Sequence, residues 1–277
     1  MRYTKGAKQR GERYVWRCPA PEPMRFENCE RFEELLRRTK NCAEAMGKMS
    51  TSVGLEVRVA AALLAGENSY ANGVEHDHIA NKIRRLLVRP VIEPSLISYW
   101  QYLSAANLDA ERIAAYLQMV SGESVTKRPS PSFSIVPSGI VVFETTEESE
   151  KWVAKIKIAA ADPKLRTALP IYAYVQTIMS HPFADGNGRL ARSILLASLG
   201  VLCGFRYPML ALAPAFYMHS ESLNTAFTRL TNTGDWTDCY TQILQTLDLA
   251  ASMTENLIDI AESGPRSHVR VRFQNAM

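Results

Sequence analysis

The sequence predicts an all-α fold that carries one small β element. Apolar residues recur at helical spacing along most of the chain, which is the signature of amphipathic helices. One stretch alone has sustained β character, Gly139-Ile140-Val141-Val142-Phe143-Glu144-Thr145-Thr146. There is no regular alternation of strands with helices and no internal repeat, which argues against an α/β sheet or a solenoid. At 277 residues the chain is one large domain or two small ones. Its 47% hydrophobic and 22% charged residues are ordinary for a globular protein that buries a core.

Each element follows from local pattern. Residues 1–24 end in Cys18-Pro19-Ala20-Pro21-Glu22-Pro23, and the prolines leave only an extended arm there. From Glu27 the pattern turns helical, with Phe32, Leu35 and Leu36 spaced among Glu and Arg, until Gly47 and Gly54 interrupt it. Helices are predicted at 55–65 and 76–87, the second ended by Arg89-Pro90. Two shorter ones follow at 96–103 and 109–120. Residues 127–137, rich in Pro and Ser, read as loop, and 139–146 as strand. Further helices are predicted at 147–160, 165–179 and 187–201. A loop then runs to Pro214, and the last helices cover 220–231 and 236–261.

Several function classes are disfavoured by composition. No apolar run approaches the roughly 18 residues of a membrane span, and the polar, basic start does not read as a secretory leader. Cys18, Cys29, Cys42, Cys203 and Cys239 form no CxxC pair, so free thiols in a reducing cytoplasm are expected rather than a zinc site. The net charge of +4 is too small to argue for nucleic acid. The basic residues at the two ends read as solvated arms. A helix-turn-helix reading of 109–116 lacks a second helix rich in polar and basic side chains. His76 and His78 stand two apart, so on a helix they share no face for a metal. Tyr99, Trp100 and Tyr102 read as core.

The chemistry concentrates in His181-Pro182-Phe183-Ala184-Asp185-Gly186-Asn187-Gly188-Arg189. Gly186 and Gly188 around Asn187 let the backbone adopt positive φ and turn successive N–H groups toward one anion. The helix that follows adds its unpaired N–H groups and positive dipole end. It is not a P-loop, since no Lys-Ser or Lys-Thr follows the glycines. Arg189 and Arg192, three apart, share a face and offer guanidinium forks to phosphate. Leu190, Ala191, Ile194, Leu195, Ser198, Val201 and Leu202 form the opposite, core-facing side. Asp185 is a hard oxygen ligand suited to Mg²⁺ on phosphates. His181 is a candidate general base, and Phe183 is expected to anchor the loop in the core. Taken singly these features are commonplace: a histidine as helix cap, Asp-Gly-Asn-Gly as tight turn, paired arginines as solvated face. Their conjunction within twelve residues points to phosphate chemistry.

Read as HPFADGNGRLAR, residues 181–192 resemble the signature of Fic-domain proteins, HPFxxGNGRxxR with Asp or Glu ahead of the glycine; every defining position is filled. Ile140, Val141, Val142 and Phe143 resemble that family's flap, which holds a target peptide by strand addition. Residues 208–217 and 223–236 resemble its downstream segment, with Tyr217 and Leu223 near the expected base pocket. The resemblance implies a Fic-type helical bundle with a small β-hairpin flap, its catalytic domain at 93–257. Around it lie a basic arm at 1–24, a helical region at 25–92 and a basic tail at 258–277. It also implies a protein adenylyltransferase that moves AMP from Mg-ATP to a Tyr, Thr or Ser hydroxyl. His181 would take the hydroxyl's proton and Asp185 would hold Mg²⁺. Gly186, Asn187 and Gly188 would cradle anionic oxygens, and Arg189 and Arg192 would contact the outer phosphates.

Many members of that family also carry an inhibitory helix, Ser/Thr-xxx-Glu-Gly/Asn. Leu63-Leu64-Ala65-Gly66-Glu67-Asn68 matches at Glu67-Asn68 but departs at Leu63. Ser52-Val53-Gly54-Leu55-Glu56-Val57 has the serine but lacks the residue after Glu56. Glu67 is the favoured candidate, expected to pair with Arg192, and Glu56 the alternative. Transfer of UMP, GMP or phosphocholine, and a non-catalytic regulatory or DNA-binding module, stay open as rival readings. Self-modification, self-association and export as an effector also stay open beside a cytoplasmic site.

Overall fold

The computed structural model describes residues 13–48, 103–121, 126–128, 133–136, 139–143, 147, 150–204 and 210–263. Helices dominate. They are α1 (Phe26–Lys48), α2 (Ala110–Ser121), α3 (Trp152–Ala160), α4 (Leu169–Ser180), α5 (Asn187–Cys203), α6 (Leu212–Met218), α7 (Ser220–Thr233) and α8 (Thr237–Ser263). Short 3₁₀ turns lie at Ala105–Asn107 and Pro163–Leu165. Three strands, β1 (Arg13–Trp16), β2 (Phe133–Val136) and β3 (Gly139–Phe143), form one small sheet in the order β1-β3-β2. The helices expected at 55–65 and 76–87 lie outside the described residues, as do Glu56, Glu67, His76, His78, Tyr99, Trp100 and Tyr102.

α4 is the centre of the bundle. Its sequence, LPIYAYVQTIMS, is apolar almost all round, as a helix enclosed by neighbours must be. Pro170 sits in its first turn, where no intrahelical N–H bond is lost. α5 packs along α4, and α3 covers another side. The polar side chains α4 buries are satisfied within it: the Tyr172 hydroxyl donates to Gln176 Oε1 at 3.2 Å, and Gln176 Nε2 donates to Ser180 Oγ at 2.5 Å.

α1 buries Phe32, Leu35, Thr39 and Cys42, a stripe at helical spacing. This stripe faces the bundle while the polar edge pairs with α8. Arg31 Nε meets Asp248 at 2.8 Å, and Arg38 grips the Glu255 carboxylate with two N–H groups at 3.0 and 2.7 Å. Such half-exposed pairs fix register more than they add stability, at up to about 1 kcal/mol each.

The structure corrects four local expectations. Residues 127–137 are not all loop, because Phe133–Val136 pairs antiparallel with β3. The segment before Pro214 does not stay loop, because α6 begins at Leu212 with the proline in its first turns. Val201 is exposed rather than core-facing, since it stands on the outer side of α5 while Leu199 and Leu202 on either side of it pack inward.

The fourth correction concerns the arm, whose second half is not a loose, solvated end. Arg13–Trp16 pairs in parallel with β3, Trp16 opposite Phe143. Residues after it are strapped to the last two helices. Arg17 N donates to Thr231 Oγ1 at 3.3 Å, Trp236 Nε1 to Ala20 O at 2.8 Å, and the Tyr240 hydroxyl to Glu22 O at 2.6 Å. The prolines do keep this stretch extended, and that is what lets its carbonyls reach two buried aromatic donors.

All five cysteines are free thiols. Among the described residues no helix is long and apolar enough to cross a membrane.

Candidate active site

The site forms where α4 ends and α5 begins. His181 caps α4 in the left-handed conformation, φ 46° and ψ 57°, with its N–H donating to Thr177 O at 3.1 Å. Among the described residues it is the one non-glycine with positive φ. Such a conformation costs about 1–2 kcal/mol in a residue with a Cβ and needs surrounding contacts to hold it.

The loop between the helices is stapled by Asn187. Its carboxamide donates from Nδ2 to Phe183 O at 2.8 Å and accepts at Oδ1 from Phe183 N at 3.0 Å. The Asn187 side chain is thereby committed to the loop, so what it can offer an anion is its backbone N–H. Phe183 is partly buried and packs on the core, as expected of an anchor.

Gly186 has φ 85°, and a Cβ there would also come within 3.1 Å of Leu117. A Cβ on Gly188 would lie 3.2 Å from Arg192 Nη1. Gly186 is thus required by its backbone conformation and by the packing of Leu117, and Gly188 by the guanidinium of Arg192.

Arg189 is 9% exposed. Its Nη2 pairs with Asp185 Oδ2 at 3.0 Å, while its buried Nε makes no hydrogen bond. A buried N–H of a guanidinium left so is costly unless an anion completes it. Asp185, by contrast, has a side chain 75% exposed, with Oδ1 accepting from Gly186 N at 2.6 Å. Arg192, one turn on, is only partly exposed, and burial lowers its pKa, partly offset by Tyr174 and Tyr116. The Tyr116 hydroxyl is hydrogen-bonded to Ser193 Oγ, which ties α2 to α5 beside it.

Among the described residues no three His, Cys, Asp or Glu gather into a metal site. The exposed Asp185 carboxylate beside the N-terminus of α5 has the chemistry to take Mg²⁺, an ion that usually keeps several waters and needs only one or two protein carboxylates.

His181 is partly buried against β3. Its imidazole stacks on the Phe143 ring, 4.1 Å between centroids and 12° between planes. Burial, and secondly the Arg128 cation, lower its pKa from 6.5 to about 4, so the ring is neutral at pH 7.

The flap region departs from expectation. Ile140, Val141, Val142 and Phe143 lie on the middle strand, paired on one side with β1 and on the other with β2. Strand addition directly to them is closed in this conformation. The outer edges of the sheet belong to β1 and β2. Phe143 turns inward, 7% exposed, to support His181.

Arg128 is the site residue that sequence reasoning missed. It is buried, its Nε donates to His181 O at 2.7 Å, and its guanidinium carbon lies 5.5 Å from the Phe143 ring centre. Tyr217 is half-buried at the end of α6 and Leu223 is buried in α7.

No sequence-family model matches the chain, and no curated protein sequence matches it significantly. Solved structures do match. A Fic family protein from Desulfovibrio desulfuricans G20 superposes with a TM-score of 0.61 at 14% identity, over 86% of this chain and 76% of that one. Fic-1 from C. elegans superposes with a TM-score of 0.50 at 14% identity, over 84% and 74%. The likeness is one of fold: the chain has the mostly helical architecture of Fic family proteins.

Proposed function

We propose that the chain is a protein adenylyltransferase, moving AMP from Mg-ATP to a hydroxyl side chain of a target protein. The observation that carries this reading is the buried Arg189, whose Nε makes no hydrogen bond, in the glycine-lined start of α5, with the neutral imidazole of His181 at the end of α4 just before it. Phosphate oxygens are the acceptors such a group lacks.

In this reading the target hydroxyl attacks the α-phosphorus of ATP in line with the leaving group. A new P–O bond forms to the target, the bond to the β-phosphate oxygen breaks, and pyrophosphate departs. The hydroxyl proton passes to His181. Its imidazole is a weak base while the site holds no anion. The negative charge of a triphosphate placed beside it raises its affinity for that proton. The N–H groups at Gly186–Gly188 and the two arginines stabilise charge as it spreads to the leaving oxygens. Asp185 would hold Mg²⁺, which neutralises phosphate charge when bound.

The groups described read phosphate rather than base. UMP, GMP or phosphocholine donors are therefore separated from AMP by experiment. The proposed brake, Glu67 competing with the outer phosphate for Arg192, rests on the sequence pattern Glu67-Asn68.

The test is intact-mass measurement after incubation with Mg-ATP of the wild-type chain, Glu67→Gly, and Glu67→Gly with His181→Ala. A gain equal to AMP, largest in Glu67→Gly and absent without His181, is the expected result. A gain that survives His181→Ala removes His181 as the base. No gain with ATP, together with a gain with UTP, GTP or CDP-choline, replaces the nucleotide.

A further inference from the structure

Residues 126–128 lie far from the signature in sequence and against it in space. Ala184 N donates to Thr126 O at 3.1 Å, and Arg128 N donates to Pro182 O at 3.1 Å. Lys127 and Phe183 face each other as an antiparallel bridge. This short ladder runs along the loop that follows His181. The Arg128 side chain then folds back over it, Nε to the His181 carbonyl at 2.7 Å and guanidinium toward the Phe143 ring.

We infer that Arg128 is a positioning residue for His181, holding the strained backbone and the stacked ring of the base in the orientation that transfer requires. The inference rests on the reading of His181 as the base. Its geometry is a clamp with two jaws. On one side the His181 N–H is held by Thr177 in α4. On the other its carbonyl is held by Arg128, a cation only 3% exposed. Burying a guanidinium is costly, and a hydroxyl or amide at 128 could satisfy one carbonyl more cheaply. What a guanidinium adds is a plane that can lie over an aromatic face while its Nε–H bonds sideways. The same Phe143 ring takes the imidazole, so one side chain contacts both the backbone and the ring support of the base.

The charged groups acting on the imidazole are Arg128 from this ladder, which lowers its pKa, and Asp185 from its own loop, which raises it. β3 presents the apolar Phe143, and α4 presents the Ile178 backbone, which also raises the pKa. Loss of Arg128 therefore moves the imidazole's titration upward as well as freeing its backbone.

The experiment compares the full chain with Arg128→Lys and Arg128→Ala. One arm follows the His181 imidazole by NMR titration of histidine-labelled protein, its signal identified by its loss in His181→Ala. The other arm measures kcat and KM for Mg-ATP in the mass assay. In Arg128→Ala the titration should rise from about 4 toward 6.5, and kcat should fall on the order of 10²-fold with KM changed less than about 2-fold. Arg128→Lys, keeping charge and one donor but not the plane, should fall between. A His181 titration in Arg128→Ala that overlays the wild type overturns the inference. So does a parallel loss of kcat, ATP binding and melting temperature in both variants, which would mark Arg128 as a fold staple only. If the wild type transfers nothing, the base reading fails, while the titration arm still decides whether Arg128 governs His181. If Arg128→Ala does not fold, Arg128→Lys carries both arms.

Discussion

The imidazole of His181 and the ring of Phe143 lie nearly parallel, 4.1 Å apart between centroids. A β3 residue thus houses the imidazole, and burial there keeps the ring neutral at pH 7.

A pH dependence of stability follows. The folded-state pKa of His181 is lowered from 6.5 to about 4. Between those values the unfolded chain takes up a proton that the folded chain refuses. The stability is therefore complete above pH 6.5 and is lost as pH falls toward 4. The full effect is up to about 3 kcal/mol. Urea unfolding at pH 7.5, 6 and 4.5 should show this decline, and His181→Gln should reduce its slope. The same slope in His181→Gln would assign the decline to other groups, His219 first, whose pKa burial also lowers.

The Asp185–Arg189 pair separates binding from folding. The Asp185 side chain is 75% exposed but its partner Arg189 only 10%, so the test keeps an oxygen acceptor for the guanidinium: Asp185→Asn should leave thermal stability unchanged to within about 1 kcal/mol. Turnover with Mg-ATP should fall on the order of 10²-fold. A melting temperature that drops along with turnover would show the pair to be structural.

The two glycines should fail in different ways. Gly186→Ala meets both a positive φ of 85° and Leu117, so it should destabilise by about 1–2 kcal/mol. Gly188→Ala sits within α5, where its new Cβ presses on the far end of Arg192. Its fold should be kept while KM for Mg-ATP rises. Calorimetry and steady-state kinetics distinguish the two, and equal stability losses would remove the distinction.

Trp16 links the arm to the site. It is 4% exposed, packs edge-on against Phe143 and Phe227, and donates to Thr228 Oγ1 at 3.3 Å. Trp16→Ala should cost about 3–5 kcal/mol. Its neighbour Val15 is 52% exposed, and Val15→Ala should cost under about 0.5 kcal/mol. Chemical denaturation of the two variants reads the difference directly.

What could be read from the chain alone was whatever is local. The start of α5, the left-handed glycine before it and the strand at Gly139–Phe143 follow from propensity and turn chemistry within a few residues. What could not be read depends on partners remote in sequence. Arg128 sits in Lys127-Arg128-Pro129-Ser130, an unremarkable polar stretch, and gains its meaning only from the carbonyl of His181. Tyr14-Val15-Trp16 has β-forming residues, but four residues make no strand without a waiting edge, and that edge is β3. α6 was hidden because its proline reads as a breaker, although Pro is tolerated in a helix's first turn.

The parallel pairing of β1 with β3 has a consequence for the order in which the molecule is made. A ribosome makes Arg13–Trp16 long before its partner strand, which ends at Phe143, and before its aromatic contact Phe227. At about 5–20 residues per second, β1 waits on the order of ten seconds or more for its seat. Through that interval Trp16 is an unpacked aromatic in a basic stretch, open to chaperones. A bulky fusion placed ahead of it would burden a segment whose docking comes late.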